Sequence, residues 1–514
     1  MSPTKRIIVN TLAQYTRAIL NIGLSLYSTR LVLEALNVDD YGIYSLVAGV
    51  VGILGYLTNA LVVTTQRYLS FYHGYGDIIS VRRIFANSLF IHAIVALSVG
   101  AILFCIRGMV MNGSTLNIAA ERLQAASHVY DITVLMLLVT IITSPFKALL
   151  TARENIVYIS IVEVVDGVMR LLLALTLLII GGDKLIAYAI GMGGILFINL
   201  SAYMIYVFAQ YEESRFRINR STLDKPIIGK LLGFAGWTTY GMASSICQTQ
   251  GLSVVFNHFF GTAINAAFGL AMQVNGAVRF VSTSVLNAMN PQIMKAEGNG
   301  DRQQMLTLAG KESKFSTALM MVLAIPIIIE MPDILDFWLR NKNVPEHTCL
   351  FCRAMLLAFL IDQTTLGLHA ANQATGIIRN YSLLTYTPKI LIVPISWGML
   401  HCGMSVDSVM LLFVSVELAV AIVRIPFLHR TAGLSIRLYM HQVLIPLVPQ
   451  LIISCISSLT FIALLHFHLH FLVTVPLSII SSIAALWAFT LNRDERQYSI
   501  RIITSRFHHD DQPK

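Results

Sequence analysis

A chain of 514 residues that is 56% hydrophobic and only 12% charged, with a mean hydropathy of +0.70, excludes an ordinary soluble domain and places the protein in a bilayer. The net charge of +9 calls for no nucleic-acid partner, because basic loops facing anionic membrane lipids account for it.

Apolar runs of roughly 20 residues, the length that crosses the hydrocarbon core, predict about fourteen transmembrane helices. In chain order they cover 7–33, 42–65, 84–106, 127–150, 156–181, 185–209, 229–257, 263–290, 311–331, 349–371, 380–402, 406–428, 443–465 and 469–491. An all-α integral membrane protein is the expected class, since alternating strands of about ten residues are absent. Lys5 and Arg6 open the chain, but Asn10 and Arg17 interrupt the apolar run after them and no small-residue cleavage site follows. The first helix is therefore expected to stay in the mature protein.

Along that first helix Asn10, Gln14, Arg17, Asn21, Ser25 and Ser28 recur at steps of three or four, forming one polar stripe while Ile19, Leu20, Ile22 and Leu26 face elsewhere. An arginine near mid-membrane costs about 2.5 to 3.5 kcal/mol on insertion scales, so Arg17 is expected to face a water-filled cavity or an anion. Arg30 lies nearer the outer interface, where it can snorkel or add to the cavity. The fourth span carries Asp131, and the fifth places Glu163, Asp166 and Arg170 on one face. These acids read either as a closed ion-pair network or as a proton or sodium site.

The eighth span repeats the polar stripe: Gln273, Gly276, Arg279, Thr283, Asn287 and Asn290. Further on, Asp362 with Gln363 on the tenth span and Glu417 on the twelfth are candidates for coupling to Na+ or H+. Pro145, Pro326, Pro388 and Pro394 fall inside spans, where prolines serve as kinks or are simply tolerated. Of the six cysteines most sit in apolar runs as small packing residues, and "CLFC" (349–352) reads as packing with a disulfide as the alternative. "HFHLH" (466–470) reads as a hydrated interfacial turn, with metal binding open to it if the loop is extended, and no metal ligand set is assigned.

Basic residues collect in alternate loops: Arg67, Arg82 and Arg83; Lys147 and Arg153; Arg215 to Lys230; Lys295 to Lys314; Arg424, Arg430 and Arg437; and the tail from Arg493 to Arg506. That alternation predicts cytoplasmic termini, with Asn37–Asp40 in an outer loop. Two stretches then align at one offset, "QRYLSFYHGYGD" (66–77) and "NPQIMKAEGNGD" (290–301), both ending in Gly-x-Gly-Asp 224 residues apart (298 minus 74). The same shift pairs Tyr44 with Phe268, Arg17 with Gly241 and Arg279 with Gly55. Six spans separate the copies, so the repeats run in the same direction. The expected organisation is a six-helix lobe over 1–210, a cytoplasmic linker at 211–228, a second six-helix lobe over 229–430, two extra helices over 431–492 and a basic tail at 493–514.

"SLYSTRLVLEALNVDDYGIYSLVAGVV" (25–51) and "TTQRYLSF" (64–71) resemble the first helices of Wzx-type polysaccharide flippases, within the multidrug/oligosaccharidyl-lipid/polysaccharide exporter superfamily. The resemblance implies two bundles around a central cavity, alternating access in a bacterial inner membrane, and a cargo of undecaprenyl-diphosphate-linked O-antigen or capsule repeat units. It implies glycosyltransferases and a polysaccharide polymerase as partners, no cofactor, and no catalytic residue.

On that reading Arg17 and Arg279, one from each lobe, are the expected ligands of the diphosphate, with Asn10, Gln14, Asn21, Gln273, Thr283, Asn287 and Arg30 lining the cavity. The alternative is a pair of structural ion pairs with carboxylates such as Glu34 or Asp362. Among other functions, a drug exporter of the same superfamily would be expected to have about twelve spans and acidic stripes, whereas the extra helices 443–491 and the arginines point the other way. A membrane glycosyltransferase or polysaccharide ligase would need carboxylates or histidines gathered on a large loop, and the outer loops are short.

Overall fold

The computed structural model describes residues 3–52, 55–111, 120–214, 223–338, 345–465 and 470–497, which are helical with short connections and contain no strand. Among the described residues each predicted span lies mainly on helix. The elements are α1 (Pro3–Gly52), α2 (Gly55–Tyr75), α3 (Ile78–Val110), α4 (Leu123–Ala152), α5 (Ile156–Ile179), α6 (Lys184–Gln210), α7 (Lys225–Gly298), α8 (Arg302–Ile329), α9 (Met331–Trp338), α10 (Thr348–Gln363), α11 (Leu366–Thr375), α12 (Ile378–His401) and α13 (Val406–Ala432). A short α14 (Ile436–Tyr439) runs through a π turn at Met440–Leu444 into α15 (Ile445–Leu464), and α16 (Phe471–Ala485) ends in a second π turn at Leu486–Thr490.

Nine of the described helices are long and apolar enough to cross a membrane, and α10 with α11, bent by 48° at their junction, make a tenth. The protein is a multi-pass membrane protein. Helix α5 spans a comparable length but carries Glu163, Asp166 and Arg170. Two sequence spans run unbroken along α7, and α1 runs on from the first span into the second as far as Gly52, so backbone expected to turn at 37–40 and 258–262 stays helical. Those junctions hold no proline, and each reaches only a single glycine, Gly42 or Gly261, which weakens a helix without ending it.

The chain divides into two compact units, the first formed by Met1–Met242 with Asn287–Asp301, the second by Ala243–Leu286 with Arg302–Lys514. In the first, α1 packs on α4 and α5, α4 on α2, α3 and α6, and α5 on α6. Its core includes Leu36, Val47, Leu103 and Tyr130, with a second cluster around Leu69, Phe85 and Phe146. In the second unit α8 lies at the centre, against α10, α11, α15 and α16. Its aromatic core joins Phe256, Phe268 and Phe351, ring centroids 5.0 to 5.4 Å apart. The last two helices are stitched by hydroxyls: Ser454 donates to Ser482 and Ser457 meets Ser481, each at 2.6 Å, while Gln450 donates to the Ala318 carbonyl of α8 at 2.9 Å. Small polar residues suit a helix contact in lipid, where close approach and hydrogen bonds replace hydrophobic attraction. Large apolar side chains such as Leu97, Phe104, Ile179 and Leu411 remain exposed, as a lipid-facing surface requires.

The Gly-x-Gly-Asp repeat has a direct structural expression. Both copies end their helix in the same left-handed turn, with φ of 78° at Gly76 and at Gly300. The hydrogen bonds match in register: Gly76 N–H to the His73 carbonyl and Asp77 N–H to Tyr72, against Gly300 to Glu297 and Asp301 to Ala296. This is the Schellman pattern, in which only glycine adopts the turn without strain. Asp77 then caps α3 by accepting from Ser80 N–H and Oγ, and that Oγ hydrogen bond holds its carboxyl below the usual range.

One turn earlier the copies touch within the first unit. A Cβ on Gly74 would lie 2.1 Å from the Lys295 carbonyl oxygen, and one on Gly298 would lie 1.8 Å from that of Phe71. The contact is reciprocal, since 295 minus 71 and 298 minus 74 both equal the repeat offset of 224. Substituting either glycine by alanine forces two backbones apart. Gly74→Ala or Gly298→Ala is expected to destabilise by about 1 to 3 kcal/mol or more, read as a lowered melting temperature in detergent. Gly276→Ala, with open space around its Cβ, is expected to leave it in place, and equal melting of all three would remove the close-contact explanation.

Candidate functional site

The polar stripe of α1 is a packing face against the neighbouring helices of its own unit. Asn10 is buried and donates to the Glu154 carbonyl at 3.0 Å, and buried Gln14 accepts from Asn287 at 3.2 Å. Asn21 donates to the Glu163 carbonyl at 3.2 Å, which Gly167 permits by leaving room for the Asn21 side chain. Arg17 is ion-paired with Glu163 through Nη1 and Oε2, while Lys147 Nζ reaches the other carboxylate oxygen at 2.6 Å. Two cations thus share one carboxylate. The partner of Arg17 is neither of the carboxylates considered from the sequence but Glu163, on the helix that α1 packs against most closely.

In the second unit α7, α10, α12 and α13 enclose a cavity of ≈ 290 Å³. Its walls include Gln248, Asn275, Arg279, Asp362, Lys389 and Glu417. Lys389 Nζ is 2.8 Å from Glu417 Oε2, and Gln248 donates to Oε1 at 3.2 Å. Asp362 Oδ1 is 2.8 Å from Arg424 Nη1, which also donates to Thr365 Oγ1 at 3.2 Å. Arg279 is different: its guanidinium lies 4.8 Å above the Phe359 ring, is largely exposed, and has no carboxylate within ion-pair distance among the described residues. Three cations therefore stand with two carboxylates. A cationic guanidinium stacked on an aromatic face is oriented without being neutralised.

Arg279, Asp362 and Glu417 meet at this cavity, while Asn10, Gln14, Arg17, Asn21 and Asn287 belong to the first unit. Gln273 is exposed and Thr283 donates to the Arg279 carbonyl at 3.1 Å, both away from the cavity wall. The Arg30 side chain lies outside the described residues. Each acid considered for ion coupling holds a basic partner: besides the pairs above, Asp131 takes a bidentate contact from Arg107 at 2.7 and 2.8 Å, and Asp166 pairs with Arg170 at 2.7 Å and accepts from Asn199 at 2.6 Å.

Lys389 escaped the sequence reading, although the rule that singled out Arg17, a cation inside an apolar span, applies to it equally. Three cations counted with the loops are interior. Arg67 is buried over the rings of Tyr68 and Phe234 at 4.3 and 5.1 Å, Lys314 is buried against Glu495 at 2.6 Å, and Arg424 is buried on Asp362. Glu312 beside Lys314 is wholly buried, with neither carboxylate oxygen hydrogen-bonded. Cys349 and Cys352 are free thiols, Cys352 within the core.

No protein-family model matches the chain, and no curated protein does. Solved structures do. A MATE transporter in the straight conformation superposes with a TM-score of 0.70 at 14% identity, covering 84% of this chain and 97% of that one. A transporter of the MOP superfamily from Pyrococcus furiosus, described by a reverse polarity of its binding pocket, gives 0.70 at 12%, covering 84% and 96%. The MATE transporter ClbM in complex with Rb+ gives 0.69 at 15%, covering 85% and 96%. The fold is that of these two-repeat helical transporters.

Removing Lys389 alone leaves Glu417 buried without its counter-ion. Lys389→Met is expected to cost about 3 to 5 kcal/mol, and adding Glu417→Leu to recover most of it, in a thermal double-mutant cycle on detergent-purified protein. A single variant as stable as the parent would mean that the pair does not act as one unit.

Proposed function

We propose that this transporter flips undecaprenyl-diphosphate-linked oligosaccharide repeat units across the bacterial inner membrane, for surface polysaccharide assembly. The observation that carries the reading is the unpaired Arg279 guanidinium in a cavity whose two carboxylates already have cations of their own. Such a cavity attracts a diphosphate, whose oxygens match the fork of a guanidinium. The neighbouring hydroxyl and amide groups of Thr249, Gln248 and Asn275 suit the polar end of a lipid-linked sugar. Orientation with cytoplasmic termini, lipid-linked cargo, and hand-over to a polymerase after glycosyltransferases complete the unit belong to the same proposal.

Export of drugs or other cations on the same fold is the rival. It would require a carboxylate available to the cation, whereas Asp362 and Glu417 are taken by Arg424 and Lys389. For the same reason a coupling Na+ or H+ at either acid would act by displacing a basic side chain, releasing a cation into the cavity as the ion binds.

Arg279→Ala is expected to weaken binding of the lipid-linked substrate about ten- to a hundredfold, the worth of a charge-assisted contact, and Arg279→Lys to recover only part. Thr283→Val, whose hydroxyl serves only its own helix, is expected to behave as the parent. The measurement is accumulation of lipid-linked oligosaccharide in cells depending on each variant. Normal transport by Arg279→Ala would overturn the diphosphate reading, and cationic-drug efflux blocked by Lys389 and Glu417 variants alone would favour the exporter.

A further inference from the structure

At the junction of α8 and α9 the chain assembles three metal-ligating side chains from two distant parts of the second unit. Glu330 sits at the break between the helices, Asp333 in the first turn of α9, and His470 at the cap of α16. Their ligand atoms all lie within 4.8 Å of one another. His470 Nε2 is 3.3 Å from Glu330 Oε2 and 3.7 Å from Asp333 Oδ2.

Glu330 is the informative member. Its side chain is 2% exposed, and Thr474 donates to Oε1, fixing the carboxylate from behind. Oε2 points toward His470 and Asp333 yet has no hydrogen-bond partner, because the imidazole approaches without aligning its ring nitrogen on that oxygen. A buried carboxylate oxygen left without a donor is costly, more so than a surface ion pair repays. An off-axis approach is what a shared ion demands. Around a tetrahedral metal with bonds of about 2.0 to 2.2 Å, ligand atoms stand about 3.3 to 3.6 Å apart, offset from each other's lone-pair axes. The His470 distance to Glu330 falls at that spacing, and the one to Asp333 lies about 0.1 Å beyond it. The scaffold is stiff: Phe337 and Phe471 pack at 5.2 Å between ring centroids, and Glu330 N–H is bonded to Pro326.

We propose that Glu330, Asp333 and His470 form a binding site for a divalent transition-metal ion of the Zn2+ or Mn2+ class, tying α9 to the start of α16. One imidazole with two carboxylates selects against Mg2+ and Ca2+, which prefer all-oxygen shells, and against Cu+, which prefers sulfur. Three protein ligands leave a coordination position for water. Thr474 supplies the outer-shell hydrogen bond that orients a ligating carboxylate. The histidine-rich run gave the only sequence signal here; its two carboxylate partners lie about 140 residues upstream, in a stretch with no metal-binding spacing of its own. His466 and His468 lie outside the described residues.

The test uses the full-length chain, free of any histidine tag and stripped with EDTA. Titration calorimetry with Zn2+ and with Mn2+ is expected to show one ion per chain, a raised melting temperature on binding, and with Co2+ a visible absorption spectrum of a nitrogen- and oxygen-ligated ion. His470→Ala and Asp333→Asn are expected to weaken binding at least tenfold, and Thr474→Val about ten- to a hundredfold. Asp333 is half-exposed, so its variant tests the site even if Glu330→Gln fails to fold. Absence of binding by the parent, parental affinity in both His470→Ala and Asp333→Asn, or loss only with His466 or His468 variants would each overturn the proposal.

Discussion

In hydrocarbon a charged side chain costs several kcal/mol unless something of opposite sign or high polarity meets it, and this single requirement organises the interior. Glu163 joins α1, α4 and α5 by holding both Arg17 and Lys147. Asp362 with Arg424, and Glu417 with Lys389, join α10, α12 and α13 in the same manner. Each pair needs its helices at a set rotation about their axes, so charge compensation fixes the bundle as much as apolar packing does. Arg279 departs from the pattern, resting on the ring of Phe359 where a carboxylate would be expected. Its position at the cavity wall follows from that: an uncompensated cation is tolerable only where water or a ligand reaches it.

The same logic separates the two uses of polar residues in these helices. On α1 Asn10 and Asn21 donate to backbone carbonyls and Gln14 accepts from Asn287 of α7, so these amides serve helix contacts. Around Gln248, Asn275 and Arg279 the polar groups border open volume instead. The serines of α15 and α16 show a third use, contact between the two helices at short range, while Gln450 bonds α15 to the Ala318 carbonyl of α8. α8 carries the densest interior polarity, with Glu312, Ser313, Lys314, Ser316 and Thr317 all buried.

Much of this was readable from residue order. The span pattern located helices, and the offset of 224 residues marked two stretches that the structure gives matching turns and a reciprocal backbone contact, neither of which the alignment foretold. Arg279 was recognisable as an intramembrane cation on a polar stripe. The partners of the charges were not, because a pair such as Arg17 with Glu163 joins residues 146 apart through helix packing that no local spacing encodes. The stripe on α1 shows a related limit: periodicity reports that a face is polar, but whether it meets water or another helix depends on α5, with Gly167 making the close fit. Arg67, Lys314 and Arg424 sat near the ends of apolar runs, where sequence cannot separate a loop cation from one turned inward over a ring or onto an acid.

The reciprocal glycine contact has a consequence for how the protein is made. The first unit is completed by residues 287–301, so the face of α2 around Gly74 has no lasting partner until about two hundred further residues have been synthesised. At roughly 5 to 20 residues per second, that interval is on the order of ten to forty seconds. During it the end of α2 carries a bare backbone groove beside Gly74, open to solvent or to a neighbouring chain. The unit closes only when the second copy of its own motif arrives, which makes assembly of the first half hostage to insertion of the second.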